Sequence, residues 1–380
     1  MMKNLQDLKL NDASYGVHQF KFRKKLKKFT FFSLTVMLMF FSLASSASHI
    51  RYLNLTWRPV SGRTVEFKFS YAQAGTASVG QQLNFGINTG AGSVTIPTRV
   101  TSNNTAENYF YAEGTALYTY PANGNYTAAF STCCRIFGMV NNSSGSVYVG
   151  TTVNVGTGNS SPIATLPPVV NVSRGVLATF TLPANDPDGD ALSYRLATPS
   201  EMGGGSQPAG LSVNSSTGLV TFNTTNASIG QLYSAAIIVG DGKTSITVDF
   251  IIKITQQSIP PVFDYLVTQA TGTVFQVSPG QAVNFNLKAT DSDAGDNVQL
   301  SGVGIPLGAV TSPSLPRSGN PVQSSFSWTP SNSNLGTNVI NFIAQDNQGV
   351  QTTTSVTIQV SLKPIFNSPP TPAGNFTTFV

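Results

Sequence analysis

One interval recurs along the C-terminal half of this chain. Asp186 and Asp291 lie 105 residues apart, and so do Asp188 and Asp293, Asp241 and Asp346, Phe180 and Phe285, Leu182 and Leu287, Ala184 and Ala289, and Gly175 and Gly280. One offset that fits seven pairs marks a tandem repeat, and a unit of this length is the size of one seven-stranded sandwich. Between the loops the frame slips by one, Phe222 matching Trp328. A single-residue insertion and a later deletion would do this. Pro-rich joints precede the units, Ser161-Pro162 before the first and Ile259-Pro260-Pro261-Val262-Phe263 before the second. Lys363-Pro364-Ile365-Phe366 repeats the second joint, so a third repeat is expected to begin there and to be left incomplete at Val380.

The local pattern agrees with β structure. Stretches beginning at Arg63, Ala178, Val283 and Ser355 alternate apolar and polar residues, as half-buried strands do. Ser61-Gly62, Asn123-Gly124, Thr217-Gly218, Asp241-Gly242 and Gln348-Gly349 are turn signals between them. Only 10% of residues are charged, while Gly numbers 34 and Pro 22, a mixture that suits short strands and tight turns and not a helical bundle. Basic residues up to Lys28, an apolar run from Phe29 to Leu43 and small residues from Ala44 to Ser48 follow the order of a secretory leader, with cleavage expected after Ala47. The expected fold is all-β: tandem immunoglobulin/cadherin-like antiparallel β-sandwiches after an N-terminal signal helix. The expected division is a leader at 1–47, a β-sandwich head at 48–157, repeats at 158–256 and 257–361, and the start of a third at 362–380.

Charge and composition remove several functions. Of 21 basic and 16 acidic residues, eight and two respectively fall in 1–47, leaving 13 basic and 14 acidic in the remainder. The overall charge of +5 therefore belongs to the leader, and nucleic-acid binding loses its support. The two histidines, His18 and His49, and two cysteines, Cys133 and Cys134, cannot build a multi-Cys zinc site or a disulfide framework. A Ser-His-Asp triad would have to use His49 at the new N-terminus, and no spacing singles out Glu66, Glu107 or Glu113 as a carboxylate pair. The chain is read as a non-enzyme.

Eight aspartates occupy two pairs of loops. Asp186, Asp188 and Asp190 are joined 55 residues after Asp186 by Asp241; Asp291, Asp293 and Asp296 are joined at the same interval by Asp346. With Ala178–Leu182 and Leu192–Leu196 as the second and third strands, the first loop is the B–C connection and Asp241 lies in the F–G hairpin, at the same pole of an immunoglobulin-like sandwich. Carboxylates so gathered repel one another unless a cation neutralises them. Ca2+, which takes six to eight oxygens in flexible geometry, fits this donor set better than Mg2+ or Zn2+. An EF-hand is excluded, because Ala197 or Pro199 stands where its bidentate Glu would be. Asp-Gly and Asp-Pro also make ordinary solvated turns, and that plainer account stands beside the metal.

Asp186-Pro-Asp-Gly-Asp-Ala-Leu-Ser-Tyr, Gly210-Leu-Ser-Val-Asn-Ser-Ser-Thr-Gly-Leu-Val-Thr-Phe and Val239-Gly-Asp-Gly-Lys together resemble the dystroglycan-type cadherin-like, or immunoglobulin-like, repeats of bacterial cell-surface proteins. The likeness covers 162–256 well and 261–361 less closely. There Asp291-Ser-Asp-Ala-Gly-Asp has one extra residue, and Trp328-Thr-Pro replaces Phe222-Asn-Thr. It implies calcium-supported surface modules for adhesion or spacing, without catalysis.

In the head, Cys133-Cys134 follows the strand-like run from Tyr126. Neighbours on a strand point to opposite faces, so ordinary structural cysteines are preferred over a vicinal bridge or pairing with another chain. Tyr118-Thr-Tyr120 beside Pro121 is a candidate ligand platform. The function expected is a secreted or cell-surface adhesion or recognition protein with a surface protein or glycan as ligand, and membrane or cell-wall attachment through a further C-terminal segment. The alternative is an exported carbohydrate-binding protein or an accessory part of a glycoside hydrolase.

Overall fold

The computed structural model describes residues 49–362. The expected leader and the third joint from Lys363 lie outside the described residues. The head contains β1 (Ile50–Ser61), β2 (Thr64–Ala74), β3 (Gln82–Asn88), β4 (Ser93–Asn104), β5 (Tyr109–Thr119), β6 (Gly124–Thr132) and β7 (Val147–Val155). Next come β8 (Ile163–Ala164), β9 (Val169–Ser173), β10 (Leu177–Thr181), β11 (Ala184–Asn185), β12 (Ser193–Leu196), β13 (Leu211–Val213), β14 (Leu219–Asn223), β15 (Leu232–Gly240) and β16 (Ser245–Thr255). The last set is β17 (Val262–Phe263), β18 (Thr273–Val277), β19 (Val283–Thr290), β20 (Val298–Val303), β21 (Val310–Ser312), β22 (Arg317–Gly319), β23 (Val322–Trp328), β24 (Gly336–Gln345) and β25 (Gln351–Val360). The fold is all-β, a tandem of immunoglobulin-like sandwiches.

The two repeats are built alike. In the first, β10-β14-β13 faces the strands β12, β15, β16 and β9; in the second, β17-β19-β23-β21 faces β18-β25-β24-β20-β22. Ala178 pairs with Phe222 and Val283 with Trp328. The one-residue frame slip thus puts two large buried rings at equivalent places in the two cores. In each repeat a short strand lies parallel to the last one, β9 along β16 and β18 along β25.

The sheet of the head runs β1-β2-β5-β4-β3-β6-β7, and its two ends meet on a strand of the first repeat. On β16, Ile246 pairs with Thr151 of β7, while Val248 and Asp249 pair with Asn54 and Leu53 of β1. Two strand edges that would otherwise stand open are thereby covered. This explains why β16 is buried almost throughout although Thr247, Asp249, Lys253 and Thr255 alternate with its apolar residues Ile246, Val248, Phe250, Ile252 and Ile254. Tyr52, Tyr109, Tyr111 and Met139 of the head share one core with Phe250 and Ile252 of β16. The rest of the head packs internally, Phe69 of β2 lying 5.3 Å from Phe85 and 4.9 Å from Phe130 across the core.

Two expectations for the head are corrected. Tyr120 is not part of an outward platform: it is fully buried, and its hydroxyl donates to the Thr89 carbonyl at 2.9 Å. Cys133 and Cys134 are disulfide-bonded to each other. Strand β6 ends at Thr132, so the alternation that would turn adjacent side chains apart no longer applies to them.

Candidate metal centres

Each acidic loop is held at the pole of its sandwich by strand pairing. In the first repeat Ser193, just after the loop 186–190, pairs with Gly240, just before Asp241. Asp241 opens a tight hairpin between β15 and β16, closed by its amide donating to the Thr244 carbonyl. Gly242 takes a φ of 84°, which a side chain would resist. In the second repeat Gln299 pairs with Gln345, and the Asp346 amide donates to Val350, one residue further on.

At the first tip, Asp186, Asp190 and Asp241 present carboxylate oxygens within 4.8 Å of one another. Asp186 Oδ1 accepts the amides of Asp188 at 2.9 Å and Asp190 at 3.1 Å, while buried Oδ2 meets no hydrogen-bond donor among the described residues. Asp241 is saturated. Its Oδ1 accepts the amides of Lys243 and Thr244, and its Oδ2 the Thr244 hydroxyl at 2.7 Å and Asn159 Nδ2 at 3.0 Å. Lys243 Nζ lies 2.7 Å from Asp190 Oδ2. Asp188 turns to the incoming joint, accepting the Ser160 amide at 2.6 Å, and is not in the gathered trio.

At the second tip the gathered trio is Asp291, Asp293 and Asp296, again within 4.8 Å. Asp346 is buried beside them. Oδ2 of Asp291, Asp296 and Asp346 is in each case buried without a donor among the described residues. The other oxygens are engaged. Asp291 Oδ1 accepts the Asp293 amide at 2.8 Å, Asp346 Oδ1 accepts the Val350 amide at 2.7 Å, and Asp296 Oδ1 accepts Asn347 Nδ2 at 3.1 Å. Asp293 Oδ2 holds the incoming joint through the Ser258 hydroxyl at 3.0 Å and the Ile259 amide at 3.1 Å.

The electrostatics follow these contacts. Burial raises the Asp186 carboxyl above the usual range; its two amide donors oppose this, and the charges of Asp188 and Asp241 add to it. Burial raises Asp346 in the same way, against Ser258, Val350 and Gln348 and with the charge of Asp291. Burial also acts on Asp241, but donors from Thr244, Asn159 and Lys243 outweigh it and hold the carboxyl low. Buried carboxylate oxygens with lone pairs to spare suit a hard, oxygen-seeking divalent cation, so the donor set fits Ca2+.

A second electrostatic feature lies in the seam between the head and the first repeat. Arg135, fully buried directly after the cysteine pair, reaches Asp249 of β16 with two bonds, 3.0 Å and 2.6 Å long. Burial raises the Asp249 carboxyl and Arg135 pulls it back. Sequence reasoning missed this pair, although Asp249 between Val248 and the apolar stretch Phe250–Ile252 was a readable signal. It also missed Asn159, Ser160 and Ser258, polar joint residues with no motif of their own. The three glutamates weighed as catalytic are each ion-paired: Glu66 with Arg58, Glu113 with Lys68, and Glu107 with Lys253.

Three family models match the chain. Residues 51–156 match the N-terminal domain of integrin beta-like proteins A–E, 163–260 match the second Ig-like domain of those proteins, and 260–359 match a bacterial Ig domain. Among curated proteins, the chain is 29% identical to integrin beta-like protein A of Dictyostelium discoideum over 87% of its own length and 20% of that protein's. It is 26% identical to integrin beta-like protein C of the same organism over 84% and 19%. The chain thus spans about a fifth of the length of these relatives. Solved structures similar to it include a Drosophila N-cadherin fragment, 13% identical over 62% of this chain and 89% of that one with a TM-score of 0.26. A three-Ig segment of titin is 14% identical over 81% and 99%, with a TM-score of 0.19.

Proposed function

We propose that this chain is part of an exported, non-catalytic cell-surface protein for adhesion or recognition. In this reading Ca2+ held by the acidic tips fixes the joints between its Ig-like units. The observation that carries it is the set of buried, donorless carboxylate oxygens at each tip, beside aspartates that already grip the incoming joint. Asp186 and Asp190 would hold one ion beside the charge of Asp241, whose oxygens are already engaged, and Asp291, Asp293, Asp296 and Asp346 the other. Bound there, calcium supplies fixed positive charge that relieves the repulsion among these groups. The names of the matching integrin beta-like proteins favour adhesion. The finer likeness to dystroglycan-type repeats favours the same calcium-supported role. The ion-paired state of Glu66, Glu107 and Glu113 speaks against a hydrolytic pair.

Sites open to extracellular solvent bind calcium with dissociation constants on the order of 0.1–1 mM. At about 1 mM calcium, linkage then adds roughly 0.4–1.4 kcal/mol per site. Thermal unfolding of the chain in about 1 mM calcium is expected a few degrees above that in chelator. An unfolding temperature indifferent to chelator would remove calcium from the account.

A further inference from the structure

We infer that the two tips are unequal: the second repeat carries the stronger divalent-cation site, and in the first repeat the Lys243 ammonium already supplies part of the positive charge. This rests on the calcium reading above and assigns it to particular residues. Lys243 and Gln348 occupy equivalent places, 105 residues apart, in the two hairpins. Both are exposed, and both reach the last aspartate of the neighbouring loop. Lys243 Nζ lies 2.7 Å from Asp190 Oδ2, and Gln348 Nε2 lies 3.5 Å from Asp296 Oδ1. The four aspartates of the first tip are thus offset by one cation, whereas the amide at the second offsets nothing.

Hairpin length acts in the same direction. The three-residue closure from Asp241 to Thr244 folds two amides and a hydroxyl back onto Asp241, and Asn159 adds a fourth donor. The closure from Asp346 to Val350 is one residue longer, and although Val350, Gln348 and Ser258 act on this carboxyl, its Oδ2 is left without a hydrogen bond among the described residues. One buried oxygen is left to coordinate at the first tip, that of Asp186, against three at the second, those of Asp291, Asp296 and Asp346. Calcium affinity follows the charge and number of such oxygens. Capture of the joint does not distinguish the tips, since Asp188 holds Ser160 as Asp293 holds Ser258 and Ile259. The ion is therefore directed to the joint between the two repeats.

The test is calorimetric titration of the purified, chelator-stripped chain with calcium chloride at physiological salt, repeated on Lys243→Gln, Gln348→Lys and Asp346→Asn. Two classes of site are expected, and Asp346→Asn should abolish the tighter one. Lys243→Gln should tighten the weaker class about three- to tenfold, and Gln348→Lys should weaken the tighter class by a similar factor, as one unit charge near a divalent ion in high dielectric would do. Both exchanges are on exposed side chains, so they decide the matter even if Asp346→Asn fails to fold. Two tips of equal affinity, or exchanges without effect, overturn the inequality and leave the calcium reading standing. The absence of any calcium binding overturns both.

Discussion

The head meets the first repeat through a strand ladder and a shared core, with one buried carboxylate oxygen to spare at the tip beside it, while the joint between the repeats ends on carboxylates with three such oxygens. At the first seam β16 pairs with both β1 and β7, and the buried Arg135–Asp249 pair crosses the contact. Asn54 adds a bond to the Thr247 carbonyl at 3.0 Å, and the Ser161 amide donates to the Trp57 carbonyl while the Ser161 hydroxyl accepts the Trp57 amide at 2.9 Å. At the second joint Ser258 and Ile259 hang on Asp293, whose neighbours keep three buried oxygens unpaired among the described residues. The contrast teaches that one chain can fix two junctions by different means. One is built from a strand ladder and a shared core; the other adds to its core contacts through Val303 and Ile343 a cluster of carboxylates that, on the calcium reading proposed above, an ion would tune.

The largest expected effect comes from breaking the first seam. Arg135→Met leaves a buried Asp249 without its partner and should lower the unfolding free energy by about 3–5 kcal/mol in urea titration. The loss should be the same in calcium and in chelator. The double variant Arg135→Met/Asp249→Leu should recover most of it, because the cost lies in the uncompensated charge. A single variant that costs under about 1 kcal/mol would show that the pair does not hold the seam.

A smaller effect separates the tips by pH. Asp346 is raised in the folded chain, so between the ordinary aspartate value and its raised value the folded state holds more protons than the unfolded. Calcium-free chain should gain stability from this group as pH falls through that window. Asp241 is held low, so its contribution is present above the ordinary value and is lost as pH falls through the lowered one. Melts between about pH 3 and 6 in chelator should find that Asp346→Asn removes a gain and Asp241→Asn removes a loss. Changes of the same sign in both variants would contradict the assignment.

How much of this could be read from the residues varies with the range of the contact. Alternation in Val283–Leu287 and the common 55-residue interval placed the strands and put both acidic loops at one pole, because sandwich topology brings B–C and F–G connections together. The division of labour within a tip was not legible. That Asp188 and Asp293 turn to the joint depends on where Ser160 and Ser258 arrive in space, and no spacing encodes that. The hairpin difference was half visible, since Thr244 and Val350 stand at unequal distances from their aspartates. The sharing of β16 was hidden because its alternation of apolar with mostly polar residues reads as a strand wetted on one face, whereas the head covers that face. The cysteine pair was misjudged by extending a strand past Thr132.

Amide hydrogen exchange of the purified chain, with and without calcium, addresses the contrast between the two junctions most directly. Calcium should slow exchange at residues 256–259, the Ile259 amide above all, by about threefold or more where the site is largely filled. The strand pairs of β16 with β1 and β7 should exchange at the same rate in both conditions, and residues 157–161, beside the weaker site, should be slowed less than 256–259. Equal slowing at both junctions, or none at 256–259, would contradict it.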